Sequence, residues 1–193
     1  NAEVDALYKL AAAGVRVPKP YGCFDGVLLM ELVCDDEGRV APRLNDVSMT
    51  AEQARDDHYV VMVYVMRMLC TGLIHGDLSE FNVLVDDYGP VIIDLPQAVD
   101  AAANNNAYAM LERDVANMTH YYGQYAPDLL KTRYADEIWA LFEDAALDPD
   151  LELTGEFEDS SDLADVDGVL EEIKAAFAEE EERKERIREA EEG

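Results

Sequence analysis

The sequence lacks the long apolar run that a membrane-spanning helix needs. Its longest unbroken apolar stretch, residues 59 to 66, falls far short of the ~20 residues required to cross a bilayer. Basic side chains are also scarce, with 15 Lys and Arg against 43 Asp and Glu and a formal net charge of −28. Because such an acidic surface repels nucleic-acid phosphates and anionic lipids, we expect neither DNA nor a membrane among its direct partners.

Cysteine is rare as well. Cys23, Cys34 and Cys70 lie far apart and form no Cys-x-x-Cys pair, which argues against a disulfide framework and against a zinc knuckle. Free thiols are typical of a reducing compartment, so the sequence predicts a cytoplasmic protein. The chain has no initiator Met and no signal segment at Asn1, and we therefore expect a fragment of a longer protein.

Acidic residues are concentrated towards one end of the chain. Residues 143 to 193 carry 21 acidic and 5 basic side chains, whereas residues 1 to 142 carry 22 and 10. This difference predicts an acidic, solvated linker over residues 148 to 165. Helical spacing of the few apolar residues beyond it predicts a charged C-terminal helix over residues 166 to 193.

The remaining apolar patterns predict a mixture of helices and short strands. Residues 3 to 12 have helical spacing, and residues 26 to 33 form an apolar run that suits a buried strand. Thr50 and Gln53 form a Thr-x-x-Gln capping box at the start of a long helix whose middle is apolar nearly all round. Two further helices are predicted near residues 105 to 122 and 127 to 146.

The densest polar cluster in an apolar context lies between residues 75 and 97. It contains two short predicted strands, residues 81 to 85 and 91 to 94. The sequence Asp-Asp-Tyr-Gly separates them and has the chemistry of a hairpin turn. We therefore expect an antiparallel hairpin here.

Three polar side chains mark this predicted hairpin. Asp77 and Asn82 lie in the loop that enters the first strand, and Asp94 ends the second. A hairpin brings Asn82 and Asp94 to one rim, where carboxylate and amide oxygens suit Mg²⁺, and Asp77 is left to orient a nucleophile. Each residue alone also fits an ordinary turn or capping role, but the three together favour a metal-assisted site.

The His-x-Asp sequence with Asn five residues after the Asp resembles the catalytic loop of protein kinases. Three further features are similar to the RIO family of atypical protein kinases: the segments HGDLSEFN and IIDLPQAVD, the Arg-Asp-Val-Ala-Asn run at residues 113 to 117, and Gly-Val-x-Val-Pro-x-Pro from residue 14. The resemblance covers residues 1 to 125, and residues 131 to 147 look like a bacterial branch of that family.

The resemblance implies an α+β, protein-kinase-like fold. The expected units are a small-lobe remnant over residues 1 to 33, with helix C, strands and the hinge, and a mainly helical large lobe over residues 34 to 147 that carries the catalytic hairpin. The acidic linker and the charged C-terminal helix follow.

The family's catalytic roles carry over by resemblance. Asp77 looks like the catalytic aspartate that positions the attacking hydroxyl, and Asn82 looks like the metal-binding asparagine. Asp94 takes the place of the aspartate that holds Mg²⁺ against the phosphates, and its family counterpart is also implicated as a transient phosphate acceptor. The implied cofactors are ATP and Mg²⁺, with Mn²⁺ as an alternative.

The resemblance also implies a nucleotide site in the small-lobe remnant. Met30, Glu31 and Val33 resemble the hinge, where the Glu31 carbonyl and the Val33 amide would bind adenine. Glu3 occupies the place of the helix-C glutamate that pairs with a phosphate-binding lysine, although a solvated acidic residue in a first helical turn is an alternative interpretation. Neither a Gly-rich loop nor a Val-Ala-x-Lys strand precedes Glu3. We therefore expect this chain alone to have severely impaired catalytic activity.

Three functions remain open at this point. The leading hypothesis is a RIO-like serine/threonine kinase or ATPase-like switch that acts on an unidentified protein substrate or on itself. A small-molecule phosphotransferase of the aminoglycoside or choline kinase type shares the same motif. The third hypothesis is a nucleotide-binding scaffold whose acidic C-terminal helix engages a basic or ribosome-associated partner.

Overall fold

The computed structural model describes residues 2 to 95 and 98 to 159. Nearly all of them belong to the first of two compact units, Asn1–Glu156. Of the second unit, Phe157–Gly193, only residues 157 to 159 are described. The predicted C-terminal helix therefore lies outside the described residues.

Helices and short antiparallel sheets alternate along the described part. The helices are α1 (Ala2–Ala12), α2 (Ala51–Cys70), α3 (Ala107–Gly123) and α4 (Tyr134–Glu143). The strands are β1 (Pro20–Phe24), β2 (Val27–Met30), β3 (Leu73–Ile74), β4 (Val83–Asp86), β5 (Gly89–Ile92) and β6 (Val99–Asp100). They pair as β1–β2, β3–β6 and β4–β5, and short 3-10 turns occupy Leu44–Asp46 and Pro127–Lys131.

Helix α2 forms the centre of the apolar core, as its sequence predicts. The Thr50 hydroxyl accepts a hydrogen bond from the Gln53 N–H at 3.2 Å, and Gln53 Oε1 accepts one from the Thr50 N–H at 3.0 Å, so the capping box is confirmed. The helix packs against α3, α4, β3 and β5. Its fully buried side chains include Val61, Met62, Met66, Met68 and Leu69.

The predicted hairpin is present as β4–β5, but its strands are displaced: β4 begins at Val83 rather than at residue 81, and β5 ends at Ile92, so Asp94 follows the strand instead of ending it. Val83 pairs with Ile92 and Asp86 pairs with Gly89 in an antiparallel register. Val83 and Ile92 are buried in the main core, because side chains opposite each other in such a pair share one face of the sheet. Gly89 adopts a positive φ of 113°, which glycine tolerates in a tight turn.

The strand predicted within residues 26 to 33 is present as β2, but the prediction that it is buried is wrong. Val27 is 68% exposed and Leu29 is 53% exposed, because within the described residues β2 pairs only with β1 and no second layer covers its outer face. The Asp25-Gly26 pair is a local signal for a hairpin turn that would have indicated β1 as well as β2. Asp25 and Gly26 both have positive φ, 50° and 81°, as in the type I′ turn that Asp-Gly favours.

The predicted helix over residues 127 to 146 is shorter and is interrupted. A 3-10 turn ends at Lys131, Thr132 is extended with φ −73° and ψ 150°, and α4 then covers Tyr134–Glu143. Pro127 at the first helical position favours a start there. The extended Thr132 separates the two segments.

Residues 147 to 156, hereafter the strap, lie against α4. Part of this segment belongs to the predicted solvated linker, yet Leu153 is buried in the main core. The Glu137 carboxylate accepts hydrogen bonds of 2.8 Å from the Thr154 N–H, the Thr154 hydroxyl and the Gly155 N–H. Three donors on one carboxylate fix the strap to the helix.

Candidate functional site

The loop between β3 and β4 is organised around a buried histidine. The Asp77 N–H donates to His75 Nδ1 at 3.3 Å, and His75 Nε2 lies 3.0 Å from the Ile93 carbonyl oxygen. A backbone N–H can only donate and a carbonyl can only accept, so these contacts define a neutral ring that carries its proton on Nε2. His75 therefore joins the loop to the residue that follows β5.

A buried aspartate of α3 forms hydrogen bonds with the backbone of the same loop. Asp114 is 1% exposed, and its carboxylate accepts the Gly76 N–H at 2.7 Å and the Leu78 N–H at 2.9 Å. Burial raises the pKa of Asp114, while the two amide hydrogen bonds act in the opposite direction. One carboxylate thus satisfies the backbone donors on both sides of Asp77.

Two further side chains of α3 bind the carbonyl groups of this loop. Arg113 donates to the Gly76 carbonyl, and Asn117 Nδ2 donates to the Leu78 carbonyl at 3.0 Å. Because α3 supplies both donors and acceptors, the N–H and the carbonyl of Gly76 and of Leu78 are all hydrogen-bonded to that helix. The Asp77 side chain, which lies between them, is exposed to solvent.

Asn82 connects the loop to the hairpin rim. Its side-chain Nδ2 donates to the Asp77 backbone carbonyl at 2.7 Å. The Asn82 backbone carbonyl accepts the Ile93 N–H at 3.0 Å. Since the amide nitrogen must face a carbonyl acceptor, Asn82 Oδ1 is left as an acceptor for another group. The hydrogen bonds therefore bring the backbones of Asp77, Asn82 and Ile93 together.

Asp94 follows directly on this rim. It has a left-handed φ of 63°, a conformation that Asp tolerates better than most residues but that still costs about 1–3 kcal/mol. Both backbone groups of the preceding Ile93 are bound, the N–H to Asn82 and the carbonyl to His75. The Asp94 side chain is exposed, so a fixed backbone presents an accessible carboxylate.

The donor set of this rim suits a hard divalent cation. Asn82 Oδ1 and the Asp94 carboxylate are oxygen ligands of the kind that Mg²⁺ takes, with water and phosphate completing its shell. Over residues 2 to 95 and 98 to 159, no group of three or more His, Cys, Asp or Glu side chains could by itself hold a metal ion.

The predicted hinge lies at the end of β2. The Glu31 N–H donates to the Lys19 carbonyl at 2.8 Å, and the Val33 carbonyl accepts the Ala41 N–H at 2.9 Å. Within the described ranges, the Glu31 carbonyl and the Val33 N–H form no hydrogen bond with the protein. Met30 is the last residue of β2.

A cavity of about 300 Å³ lies beside Glu31 and Val33. Its wall also includes Val15, Arg16 and Val91, whereas Asp77, Asn82 and Asp94 do not line it. The cavity and the rim are therefore different places in the described structure. Glu3 is half-buried in the first turn of α1, and its proposed pairing with a lysine stays a prediction.

Two pairs of interacting residues were not predicted from the sequence. Arg16 donates from Nη1 to Asp86 Oδ1 at 2.9 Å and from Nη2 to Oδ2 at 2.5 Å, and this guanidinium lowers the pKa of Asp86. Arg55 forms a similar pair with Asp128. Partners 70 or more residues apart in the chain carry no local sequence signal.

The described part contains no helix that is both long and apolar enough to cross a bilayer. A mainly helical unit in which a loop with Asp77 is hydrogen-bonded to a hairpin with Asn82, next to Asp94, is typical of the class of protein-kinase-like proteins. The comparison with protein families is consistent with this class. Residues 1–135 match the model of the RIO domain, and the chain belongs to that family.

The relatives with similar sequences are named as serine/threonine kinases. The chain is 40% identical over 124 residues to the RIO-type serine/threonine-protein kinase Rio1 of Haloferax volcanii. It is 38% identical over 117 residues to Rio2 of Methanocaldococcus jannaschii and 31% identical over 132 residues to RIO1 of Homo sapiens. These alignments cover 63%, 59% and 68% of the chain.

The chain corresponds to only part of these relatives. It spans 41% of the Haloferax protein, 42% of the Methanocaldococcus protein and 23% of the human protein. The three relatives come from archaea and a eukaryote, and the assignment to a bacterial branch stays a prediction.

Proposed function

We propose that the chain is part of a RIO-like serine/threonine protein kinase, which transfers a phosphoryl group from ATP with the help of Mg²⁺. The observation that carries this proposal is the hydrogen-bonded connection from Asp77 through Asn82 to Ile93, which directly precedes Asp94. Phosphoryl transfer needs mainly positioning and charge neutralisation. A rigid rim with exposed oxygen ligands supplies both.

Asp77 would orient the acceptor hydroxyl and accept its proton. Its side chain is exposed, while its N–H is bound to His75 and its carbonyl to Asn82. Because both the N–H and the carbonyl of Asp77 are hydrogen-bonded, its carboxylate would be positioned without the free-energy cost of ordering the loop during the reaction. The exposed position leaves room for a protein side chain that carries the acceptor.

Asn82 Oδ1 and the Asp94 carboxylate would hold the divalent cation. When bound, Mg²⁺ or Mn²⁺ neutralises charge on the phosphate oxygens. The left-handed backbone at Asp94 is the kind of strain that accumulates at functional sites, which supports a role for its carboxylate. A phosphorylated Asp94 as an intermediate remains part of this proposal.

The adenine of ATP would bind at the hinge. The Glu31 carbonyl and the Val33 N–H, together with Met30 at the end of β2, provide the edge of an adenine site in which backbone atoms do the recognition. Glu3 would pair with a phosphate-binding lysine supplied by the remainder of the small lobe. The unidentified protein substrate, autophosphorylation and a cytoplasmic location belong to the same proposal.

The relatives favour a protein kinase over the two alternatives. Their names describe serine/threonine-protein kinases, and nothing in the described site favours an aminoglycoside or amino alcohol as acceptor. ATP turnover by the full-length protein, measured with and without such compounds, separates these classes. Stimulation by a small amino alcohol alone would contradict the proposal, and an absence of turnover with retained ATP binding would favour a scaffold. A ribosome-associated partner stays a prediction.

The first test replaces the positioning carboxylate. In the full-length protein, Asp77→Asn should lower kcat for phosphoryl transfer by about 10²–10⁴-fold, the usual contribution of a positioned acid or base. Binding of Mg·ATP should be unchanged, because Asp77 is not assigned to the metal. Asp56→Asn, at an exposed aspartate of α2, is the matched control and should leave kcat unchanged. Equal turnover by Asp77→Asn and the wild type would refute the role of Asp77.

A further inference from the structure

One arginine of the central helix joins two distant parts of the chain. Arg67 lies in the last turn of α2. Its Nη1 donates to the Gly14 carbonyl at 2.9 Å, and its Nε donates to the Pro149 carbonyl at 3.0 Å. A planar guanidinium holds two acceptors in a fixed relative orientation. Arg67 therefore ties the loop after α1 to the strap.

The loop side of this contact is closely packed. Gly14 has a φ of 80°, and a Cβ atom at that position would lie 2.9 Å from Arg67 Nη1. A side chain would therefore strain the backbone and displace the guanidinium. Only glycine allows Arg67 to approach the loop in this way.

The same loop is attached to the hairpin that carries the rim. The Arg16 carbonyl accepts the Ile92 N–H at 2.9 Å, and the Arg16 side chain forms its two hydrogen bonds to Asp86. Ile92 is followed by Ile93, whose N–H and carbonyl are bound to Asn82 and His75. Contacts thus run from the loop, through β5, to the backbone that presents Asp94.

The strap side of the contact lies outside the family match. The RIO model covers residues 1–135, whereas the strap comprises residues 147 to 156. The strap is anchored independently of Arg67, by the buried Leu153 and by the three hydrogen bonds to Glu137. It is therefore a fixed support against which Arg67 can hold the loop.

We propose that the strap, acting through Arg67, holds residues 14 to 17 against β5 and so positions Asp94 for the nucleotide's metal ion. Arg67 is a positioning residue and does not itself touch the nucleotide. The kinetic consequence rests on the proposed function, whereas the structural coupling does not. The two can therefore fail separately.

The coupling is tested by hydrogen exchange in the full-length protein. Arg67→Gln removes the guanidinium, and Arg55→Gln is the matched control, because Arg55 lies on the same helix and forms two hydrogen bonds to Asp128. The amides of Val15 and Ile92 should exchange about tenfold faster in Arg67→Gln than in the control, as local opening of a few packed contacts predicts. Equal exchange in the two variants would overturn the proposal.

The positioning role is tested by separating KM from kcat. Arg67→Gln should raise the KM for Mg·ATP by about three- to tenfold with kcat changed by less than about twofold, because a ground-state contact to the bound metal is weakened. A purely structural role would reduce the amount of folded enzyme and lower the apparent kcat at constant KM. A lower apparent kcat at constant KM would overturn the proposal even if the amides of Val15 and Ile92 exchange faster in Arg67→Gln.

A second variant protects the test against misfolding of the first. Leu153→Ala loosens the strap without altering Arg67 and should raise the same KM, while Arg67→Lys, which keeps the charge but loses the planar fork, should give an intermediate value. An unchanged KM in Leu153→Ala would contradict a role for the strap. If the wild-type protein shows no phosphoryl transfer, the proposed function fails, and the exchange comparison decides the coupling by itself.

Discussion

The loop between β3 and β4 and the β1–β2 hairpin are stabilised in opposite ways. In the loop, a buried frame of polar groups, including Asp114 at 1% exposure, holds side chains that face the solvent. In the hairpin, the backbone is paired, but apolar side chains such as Phe24, at 64% exposure, and Val27, at 68%, are uncovered within the described residues. The geometry of the rim is thus set by buried polar contacts, whereas the β1–β2 hairpin has an apolar face that the described residues do not cover.

The largest effect is expected when Asp114, the central acceptor of the buried polar frame, is removed. Asp114→Ala leaves the Gly76 and Leu78 N–H groups buried without an acceptor, and it should lower the free energy of unfolding by about 2–5 kcal/mol, since each such donor costs about 1–3 kcal/mol. Denaturant unfolding measures this change. Glu112→Gln, at an exposed position of the same helix, is the control and should have no comparable effect. A loss below about 0.5 kcal/mol in Asp114→Ala would show that the loop does not depend on α3.

A second prediction concerns the stability of the protein in acid. His58 is fully buried, lies 2.9 Å from the Thr119 hydroxyl and is packed between the rings of Tyr122 and Tyr134. Burial lowers its pKa from 6.5 to about 4. Because the unfolded chain then binds a proton that the folded chain excludes, stability present above pH 6.5 is lost as the pH falls towards 4, by up to about 3 kcal/mol in total.

The measurement is the free energy of unfolding between about pH 6.5 and pH 5, a window above the titration of ordinary carboxylates. His58→Gln should flatten the slope in this window. His120→Gln, at an exposed histidine of α3, should retain the wild-type slope. A slope in His58→Gln that equals the wild-type slope would contradict the burial of a neutral His58.

The smallest predicted effect compares the same substitution in the two regions. Val83 in β4 is fully buried and Val27 in β2 is 68% exposed. Val83→Ala should cost about 2 kcal/mol through lost burial and a residual cavity, whereas Val27→Ala should stay within about 0.5 kcal/mol, as for other surface changes. Equal costs in denaturant unfolding of this chain would remove the contrast between the β4–β5 and β1–β2 hairpins.

Local patterns predicted those parts of the fold that depend on neighbouring residues. The capping box at Thr50 and the turn between β4 and β5 were predicted because each depends on a few adjacent side chains. The same kind of signal, Asp25-Gly26, was overlooked, so β1 was missed. The exposure of β2 was mispredicted because an apolar run indicates a strand without showing what covers it.

The candidate site was predicted as a set of residues rather than as a geometry. The sequence indicated that Asn82 and Asp94 lie at one rim of the hairpin and that Asp77 lies in the loop that enters it. The sequence could not show which backbone groups Asp114 binds, or that Asp94 has a left-handed backbone. These features arise from contacts between segments that are far apart in the chain.

The central claim is that Asn82 and Asp94 hold the divalent cation of the nucleotide. It is tested most directly by adding Mn·ATP to the full-length protein and recording the paramagnetic broadening of backbone amide signals. The account predicts the strongest broadening at Asn82, Val83, Ile93 and Leu95, and its loss in Asp94→Asn but not in Asp56→Asn. Broadening confined to the acidic residues 143 to 193, with sharp signals at the rim, would contradict it.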